Sequence, residues 1–199
     1  MQETNGILGG IRVLPVVVMK KIEDTIPTLR ALCEGGIYAA EITFRTACAE
    51  EAIRIGSAAF PQMQVGAGTV LCEEQAQEAI AAGAKFIVSP GLSAGTAELC
   101  RSAGIPYIPG CVTPTEIMQA LALGLHTVKF FPAGIYGGLE AIRALAAPFP
   151  QVKFLPTGGV NYENLREYLE NEHIAAVGGS FMMTGNIFEN CRKIQEVLR

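Results

Sequence analysis

Short β-rich runs alternate with helix-length segments from one end of the chain to the other. The runs that read as strands are Val13–Val18, Ala39–Phe44, Gln64–Ala67, Phe86–Val88, Tyr107–Ile108, Thr127–Phe131, Val152–Leu155 and Ala175–Val177. The segments between them carry helix signals. In Thr113-Pro114-Thr115-Glu116, Thr113 can cap, Pro114 suits the first helical position and Glu116 can complete a capping box. Glycines at Gly35-Gly36, Gly83, Gly104 and Gly124 mark helix ends. Eight such β/α repeats predict an α/β fold, a single (β/α)8 TIM barrel, although an eight-stranded doubly wound sheet shares the pattern. In a barrel the active site lies at the carboxyl ends of the strands, so each motif can be judged by whether it falls there.

Length and composition narrow the class. The chain has 199 residues and no Pro/Ser-rich linker or charge block, so one domain spanning 1–199 is expected. Half the residues are hydrophobic and 22 are glycine, which suits strands buried on both faces and many tight turns. A net charge of −4 offers nucleic acid no basic footprint. The six cysteines are scattered without a C-x-x-C pair or a nearby histidine, and they read as small buried residues of a reducing cytoplasm. The segment Met1–Gly6 has no basic n-region, and the apolar stretch Val13–Met19 is too short to span a bilayer. A soluble, cytoplasmic protein with no membrane partner is therefore expected.

Candidate chemistry centres on Lys129, the lone cation in Thr127-Val128-Lys129-Phe130-Phe131-Pro132, a run that otherwise reads as a buried strand. Desolvation disfavours an ammonium, and an uncharged amine can add to a ketone carbon to form a Schiff base; the plain alternative is a strand-end lysine reaching out to water. In the second strand Glu41, Thr43 and Arg45 share one parity, and Ala40, Ile42 and Phe44 the other, so Glu41 should point into the barrel. There it is either a proton shuttle or the partner of an internal cation. Arg45 offers a fork suited to a carboxylate, or is an ordinary solvated arginine.

Gly66-Ala67-Gly68-Thr69 follows the third strand and would let backbone amides and the Thr69 hydroxyl approach a ligand. It is no dinucleotide fingerprint, because Leu71 stands where G-x-G-x-x-G needs its third glycine. Ser89-Pro90-Gly91 reads as a strand-stopping turn in which Pro90 could wall a pocket. Thr157-Gly158-Gly159 follows the seventh strand and Gly178-Gly179-Ser180 the eighth, the two loops where barrels hold a phosphate. His126 and His173 stand beside strand starts, at the wrong end for the site, and read as surface residues. No metal cage and no Walker A sequence is visible, so neither metal nor cofactor is expected.

Taken in order, Glu41-Ile-Thr-Phe-Arg45, Val65-Gly-Ala-Gly-Thr-Val70, Ser89-Pro-Gly91, Val128-Lys-Phe-Phe-Pro132, Pro156-Thr-Gly-Gly159 and Gly178-Gly-Ser180 resemble the 2-keto-3-deoxy-6-phosphogluconate / 4-hydroxy-2-oxoglutarate aldolases over nearly the whole chain. The resemblance implies a homotrimeric, metal-free class I aldolase that acts on a small keto acid and a phosphorylated aldehyde. It implies that Lys129 forms the imine with pyruvate and Glu41 shuttles protons. By the same likeness Arg45 and Thr69 would hold the pyruvate carboxylate, and Pro90 and Phe131 would shape the pocket. Thr157 would face the hydroxyl or carboxylate groups of the substrate, and Gly158, Gly159, Gly179 and Ser180 would receive the distal phosphate. The loop Ala133-Gly134-Ile135-Tyr136-Gly137 departs from the Pro-Ala-Glu start of bacterial members, which bears on substrate preference. On the residues alone, a phosphosugar isomerase or epimerase with Glu41 as base, and a barrel that binds a phosphometabolite without turnover, stay open.

Overall fold

The computed structural model describes residues 10–198, where eight strands alternate with eight helices. The strands are β1 (Val13–Val17), β2 (Ala39–Thr43), β3 (Gln64–Gly68), β4 (Ile87–Val88), β5 (Tyr107–Ile108), β6 (Thr127–Phe130), β7 (Lys153–Pro156) and β8 (Val177–Gly179). The helices are α1 (Thr25–Glu34), α2 (Ala49–Ala59), α3 (Glu73–Ala81), α4 (Ala94–Ala103), α5 (Pro114–Ala122), α6 (Gly138–Ala146), α7 (Leu165–Glu170) and α8 (Ile187–Leu198).

All strand pairs are parallel, and pairing runs β5-β4-β3-β2-β1-β8, with β6 and β7 paired separately. Single bridges join these pieces, Gly110 with Lys129 beside β5 and β6, and Thr157 with Gly178 beside β7 and β8. At the first, the Lys129 amide donates to the Pro109 carbonyl at 2.7 Å and the Cys111 amide to the Lys129 carbonyl at 2.9 Å. The neighbour order is thus cyclic. An open doubly wound sheet would leave two edge strands, and this sheet closes into a (β/α)8 barrel.

Alternation along each strand divides the core in two. Leu14, Ala39, Phe86, Val88, Ile108, Leu155 and Ala176 fill the barrel, while Val13, Val17, Ile42, Val65, Ile87, Val128, Phe130 and Phe154 face the helices. Phe86, Phe130 and Phe154 are among the largest fully buried side chains, each contributing about 1.5–3 kcal/mol of burial free energy. The capping box of α5 forms as its sequence predicts: Thr113 Oγ1 accepts from the Glu116 amide at 3.4 Å, and Glu116 Oε2 accepts from the Thr113 amide at 2.8 Å.

Three sequence expectations change. β8 begins two residues later than the run Ala175–Val177, because it registers Val13 with Val177, Leu14 with Gly178 and Pro15 with Gly179. Gly178 and Gly179 are therefore strand residues and not loop residues; ladder hydrogen bonding overrides the poor strand propensity of glycine. Gly66 and Gly68 likewise lie inside β3, where their missing side chains give room to Phe86 and Glu41 from the neighbouring strands. Among the cysteines, Cys100, Cys111 and Cys191 are buried and Cys33 and Cys48 half-buried, but Cys72 is exposed just before α3. All six are free thiols. Among the described residues no helix is long and apolar enough to cross a membrane, and Val13–Val17 is a strand. The segment Met1–Gly6 lies outside the described residues.

Candidate active site

Strand parity places the two central groups. Lys129 follows Val128 and precedes Phe130, both packed outward, so its side chain enters the barrel from β6. Glu41 enters from β2 in register with Val16 and Gly66. Lys129 Nζ donates to Glu41 Oε1 at 3.2 Å, and the two side chains are 3% and 0% exposed. Lys129 does not reach out to water. Burying both charges is costly unless they pair, which the contact provides. Glu41 Oε2 is also buried and has no protein hydrogen-bond partner among the described residues, so one carboxylate oxygen remains available to a substrate group. The Phe131 ring, half-buried, flanks the amine with its centroid 5.4 Å from Nζ.

Arg45 is exposed beyond the carboxyl end of β2, and its Nε donates to Thr69 Oγ1 at 3.0 Å. Thr69 has φ of 54°, a left-handed conformation that is strained for a β-branched residue by about 1–3 kcal/mol. The flanking backbone holds it there, with the Phe44 amide on the Gly68 carbonyl at 2.7 Å and the Val70 amide on the Val88 carbonyl at 3.3 Å. The result keeps the Thr69 hydroxyl beside the guanidinium and leaves both terminal nitrogens of Arg45 available to a carboxylate.

Ser89, Tyr107 and Gly91 fix the turn that carries Pro90. Ser89 Oγ donates to the Gly91 carbonyl and lies 2.6 Å from Tyr107 Oη, which accepts from the Ser93 amide at 3.3 Å. Burial pushes the Tyr107 phenol up, against the hydrogen bonds it shares with Ser89 and the Ser93 amide, so it stays a neutral donor. Pro90 itself is exposed.

Thr157 is buried just past β7, in the space that Gly178 leaves by lacking a Cβ. Gly158 and Gly159 follow at φ of 81° and 91°, a turn that only glycine adopts freely. Its carbonyls are tied to the loop after β6, Ala133 N–H to Thr157 O and Gly134 N–H to Gly158 O, each at 2.9 Å. Gly134 packs so closely on Gly159 that a Cβ at either position would crowd the other. Gly179 is buried at the end of β8 and Ser180 is exposed after it.

The structure thus brings Lys129, Glu41 and Phe131 together and joins Arg45 to Thr69. Pro90 and Ser180 make no side-chain hydrogen bond to that group. His126 and His173, expected at the surface, are half-buried; their carbonyls accept from Lys153 and Phe154 at 2.8 and 2.7 Å, and His173 Nδ1 is buried without a partner among the described residues. They bind β7 to its neighbours at the far end of the barrel. Among the described residues no three His, Cys, Asp or Glu side chains gather as a metal cage. Sequence reasoning did not single out the supporting glycines Gly68 and Gly178 for the space they leave, nor Asn161 and Asn164 before α7, for which the Asn-x-x-Asn spacing is the available signal.

Comparison with known proteins bears on this geometry. Residues 5–197 match the family model for KDPG and KHG aldolase. The chain is 47% identical over 173 residues to the 2-dehydro-3-deoxy-phosphogluconate aldolase of Treponema pallidum, covering 87% of this chain and 82% of that protein. It is 43% identical over 177 residues to the KHG/KDPG aldolase of Escherichia coli K12, covering 89% and 83%. Its fold superimposes with a TM-score of 0.89 and 38% identity on the KDPG aldolase of Legionella pneumophila, solved with pyruvate captured as a covalent carbinolamine, over 98% of this chain and 96% of that one.

Proposed function

For a chain that belongs to the KDPG and KHG aldolase family, we propose that Lys129 is the imine-forming amine and Glu41 its proton shuttle in cleavage of 2-keto-3-deoxy-6-phosphogluconate, and of 4-hydroxy-2-oxoglutarate, to pyruvate and an aldehyde. The observation that carries this reading is the buried contact of 3.2 Å between Lys129 Nζ and Glu41 Oε1.

Lys129 passes a proton to Glu41 and the freed amine attacks the C2 ketone; Glu41 returns that proton to the departing hydroxyl as the carbinolamine loses water, and an iminium forms. Glu41 then takes the proton of the C4 hydroxyl. The C3–C4 bond breaks, its electron pair moves into the iminium, and a neutral enamine replaces a carbanion. Glyceraldehyde 3-phosphate, or glyoxylate from the shorter substrate, departs as the aldehyde. Glu41 returns its proton to C3, and hydrolysis frees pyruvate and Lys129. Because Oε1 faces the amine and Oε2 has no partner among the described residues, one carboxylate can serve the nitrogen and the substrate in turn.

Arg45 and Thr69 hold the pyruvate carboxylate in this reading, with Phe131 and Pro90 as walls and Thr157 toward the hydroxyl groups. Gly158, Gly159, Gly179 and Ser180 seat the distal phosphate. The reading extends to a single catalytic domain over 1–199 acting as a homotrimer in the cytoplasm, supported by the family likeness and by the six free thiols.

Borohydride reduction in the presence of pyruvate tests the proposal. One reduced pyruvyl group should appear on Lys129, located by peptide mass mapping. Equal labelling of a Lys129→Ala variant would sink it, and a wild-type enzyme that traps nothing would return the barrel to isomerase or binding chemistry.

A further inference from the structure

Asn164 stands immediately before α7, and its carboxamide is engaged at both ends. Oδ1 accepts from the Asn161 amide at 2.9 Å, and Nδ2 donates to the Gly159 carbonyl at 2.9 Å. Asn161 reciprocates, its Oδ1 accepting from the amides of Glu163 at 2.9 Å and Asn164 at 3.1 Å. The pair forms a clamp whose outer end grips the second glycine of the Gly158-Gly159 turn.

A trans peptide points its N–H opposite to its C=O. Fixing the carbonyls of Thr157, Gly158 and Gly159 therefore fixes the N–H directions of Gly158, Gly159 and Val160. None of those three amides donates to a protein acceptor among the described residues. Backbone groups of the loop after β6 hold the first two carbonyls, so Asn164 supplies the side-chain anchor of the three. Two successive glycines at positive φ form the least restrained kind of backbone. An anchor on the second removes freedom that anion binding would otherwise have to remove.

We propose that Asn164 is a positioning residue that preorders the Gly158–Val160 amides for the distal phosphate of the sugar acid, an inference that rests on reading this turn as the phosphate seat. Asn164 touches no reacting atom. Its influence falls on binding of the phosphorylated aldol, and it leaves imine formation and the unphosphorylated aldol alone.

The test compares wild type, Asn164→Ala and Asn164→Asp on 2-keto-3-deoxy-6-phosphogluconate and on 4-hydroxy-2-oxoglutarate, beside borohydride trapping of pyruvate. For Asn164→Ala, KM for the phosphorylated substrate should rise about 5- to 10-fold, the value of one lost hydrogen bond. Its kcat, the KM for 4-hydroxy-2-oxoglutarate and the trapping yield should stay at wild-type values. Asn164→Asp keeps the acceptor, loses the donor and adds a negative charge beside the anion, so its KM for the phosphorylated substrate should rise further. Equal losses on both substrates would mean a merely structural role and overturn the proposal, as would no change on either. A wild-type enzyme with no preference for the phosphorylated aldol, yet normal trapping, would remove the phosphate seat and this inference with it while leaving the aldolase chemistry standing.

Discussion

Gly68 of β3 and Glu41 of β2 compete for one volume: a Cβ on Gly68 would fall among the Glu41 carboxyl and Cγ atoms. The absent methyl lets the carboxyl lean to within 3.2 Å of Lys129 Nζ. Gly68→Ala should push the carboxyl off the amine and lower kcat by about 10- to 100-fold, the scale on which small misplacements of catalytic groups act. Pyruvate should still be trapped on Lys129 by borohydride. A Gly68→Ala enzyme with wild-type turnover would show that the carboxyl is not steered from this position.

Replacing the carboxyl itself has two separable effects. Glu41→Gln keeps the shape but cannot carry a proton between nitrogen, oxygen and carbon, so kcat should fall about 10²- to 10⁴-fold. It also leaves Lys129, 3% exposed, without its counter-charge, and removing one partner of a buried pair destabilises by about 3–5 kcal/mol where the other stays charged. Steady-state kinetics measure the first effect and urea denaturation the second. Unchanged kinetics would remove the shuttle role whatever happens to stability.

Thr69 offers a case where stability and activity should part. Its φ of 54° is strained for threonine and easy for glycine, so Thr69→Gly relieves about 1–3 kcal/mol against about 0.5–1 kcal/mol of added unfolded-state entropy. Thermal denaturation should therefore give an equal or higher Tm. The same change removes the hydroxyl that Arg45 Nε holds at 3.0 Å, and KM should rise several-fold, on the scale of one solvent-exposed hydrogen bond. A variant both less stable and normal in KM would contradict both halves of the argument.

Much of this site is legible from local pattern. Alternation in β2 turns Glu41 inward, and Lys129, the lone cation of an apolar run, cannot be an ordinary surface residue once Val128 and Phe130 pack outward. What local pattern hides is space between strands. Gly66 and Gly68 read as glycines that let a ligand approach the backbone until register shows Phe86 and Glu41 lying against them. Gly178 and Gly179 read as a loop because their propensity opposes a strand, and only pairing with Leu14 and Pro15 of β1 draws them in. The half-burial of His126 and His173 is hidden for the same reason, since it depends on β7 closing the barrel through their carbonyls.

The buried thiols set an alkaline limit on the fold. Burial pushes Cys100 and Cys191 up to about 11, and burial followed by the Glu116 charge pushes Cys111 up to about 12, from 9.0 for an unperturbed thiol. Above pH 9.0 the unfolded chain releases protons that the folded chain keeps, so the unfolded state gains. The contribution of the neutral thiols is fully present below that pH and is lost as pH rises toward 11 and 12. Urea midpoints should be level across the neutral range and fall steadily above pH 9.0, with Cys111→Ala flattening part of that fall at some cost in packing. Because the thiolate is the reactive species, a thiol reagent on the native protein at about pH 8 should modify exposed Cys72 ahead of these three. Modification of Cys111 at the rate of Cys72 would mean that the strand ends beside Lys129 open far more readily than their hydrogen bonding to the Lys129 backbone allows.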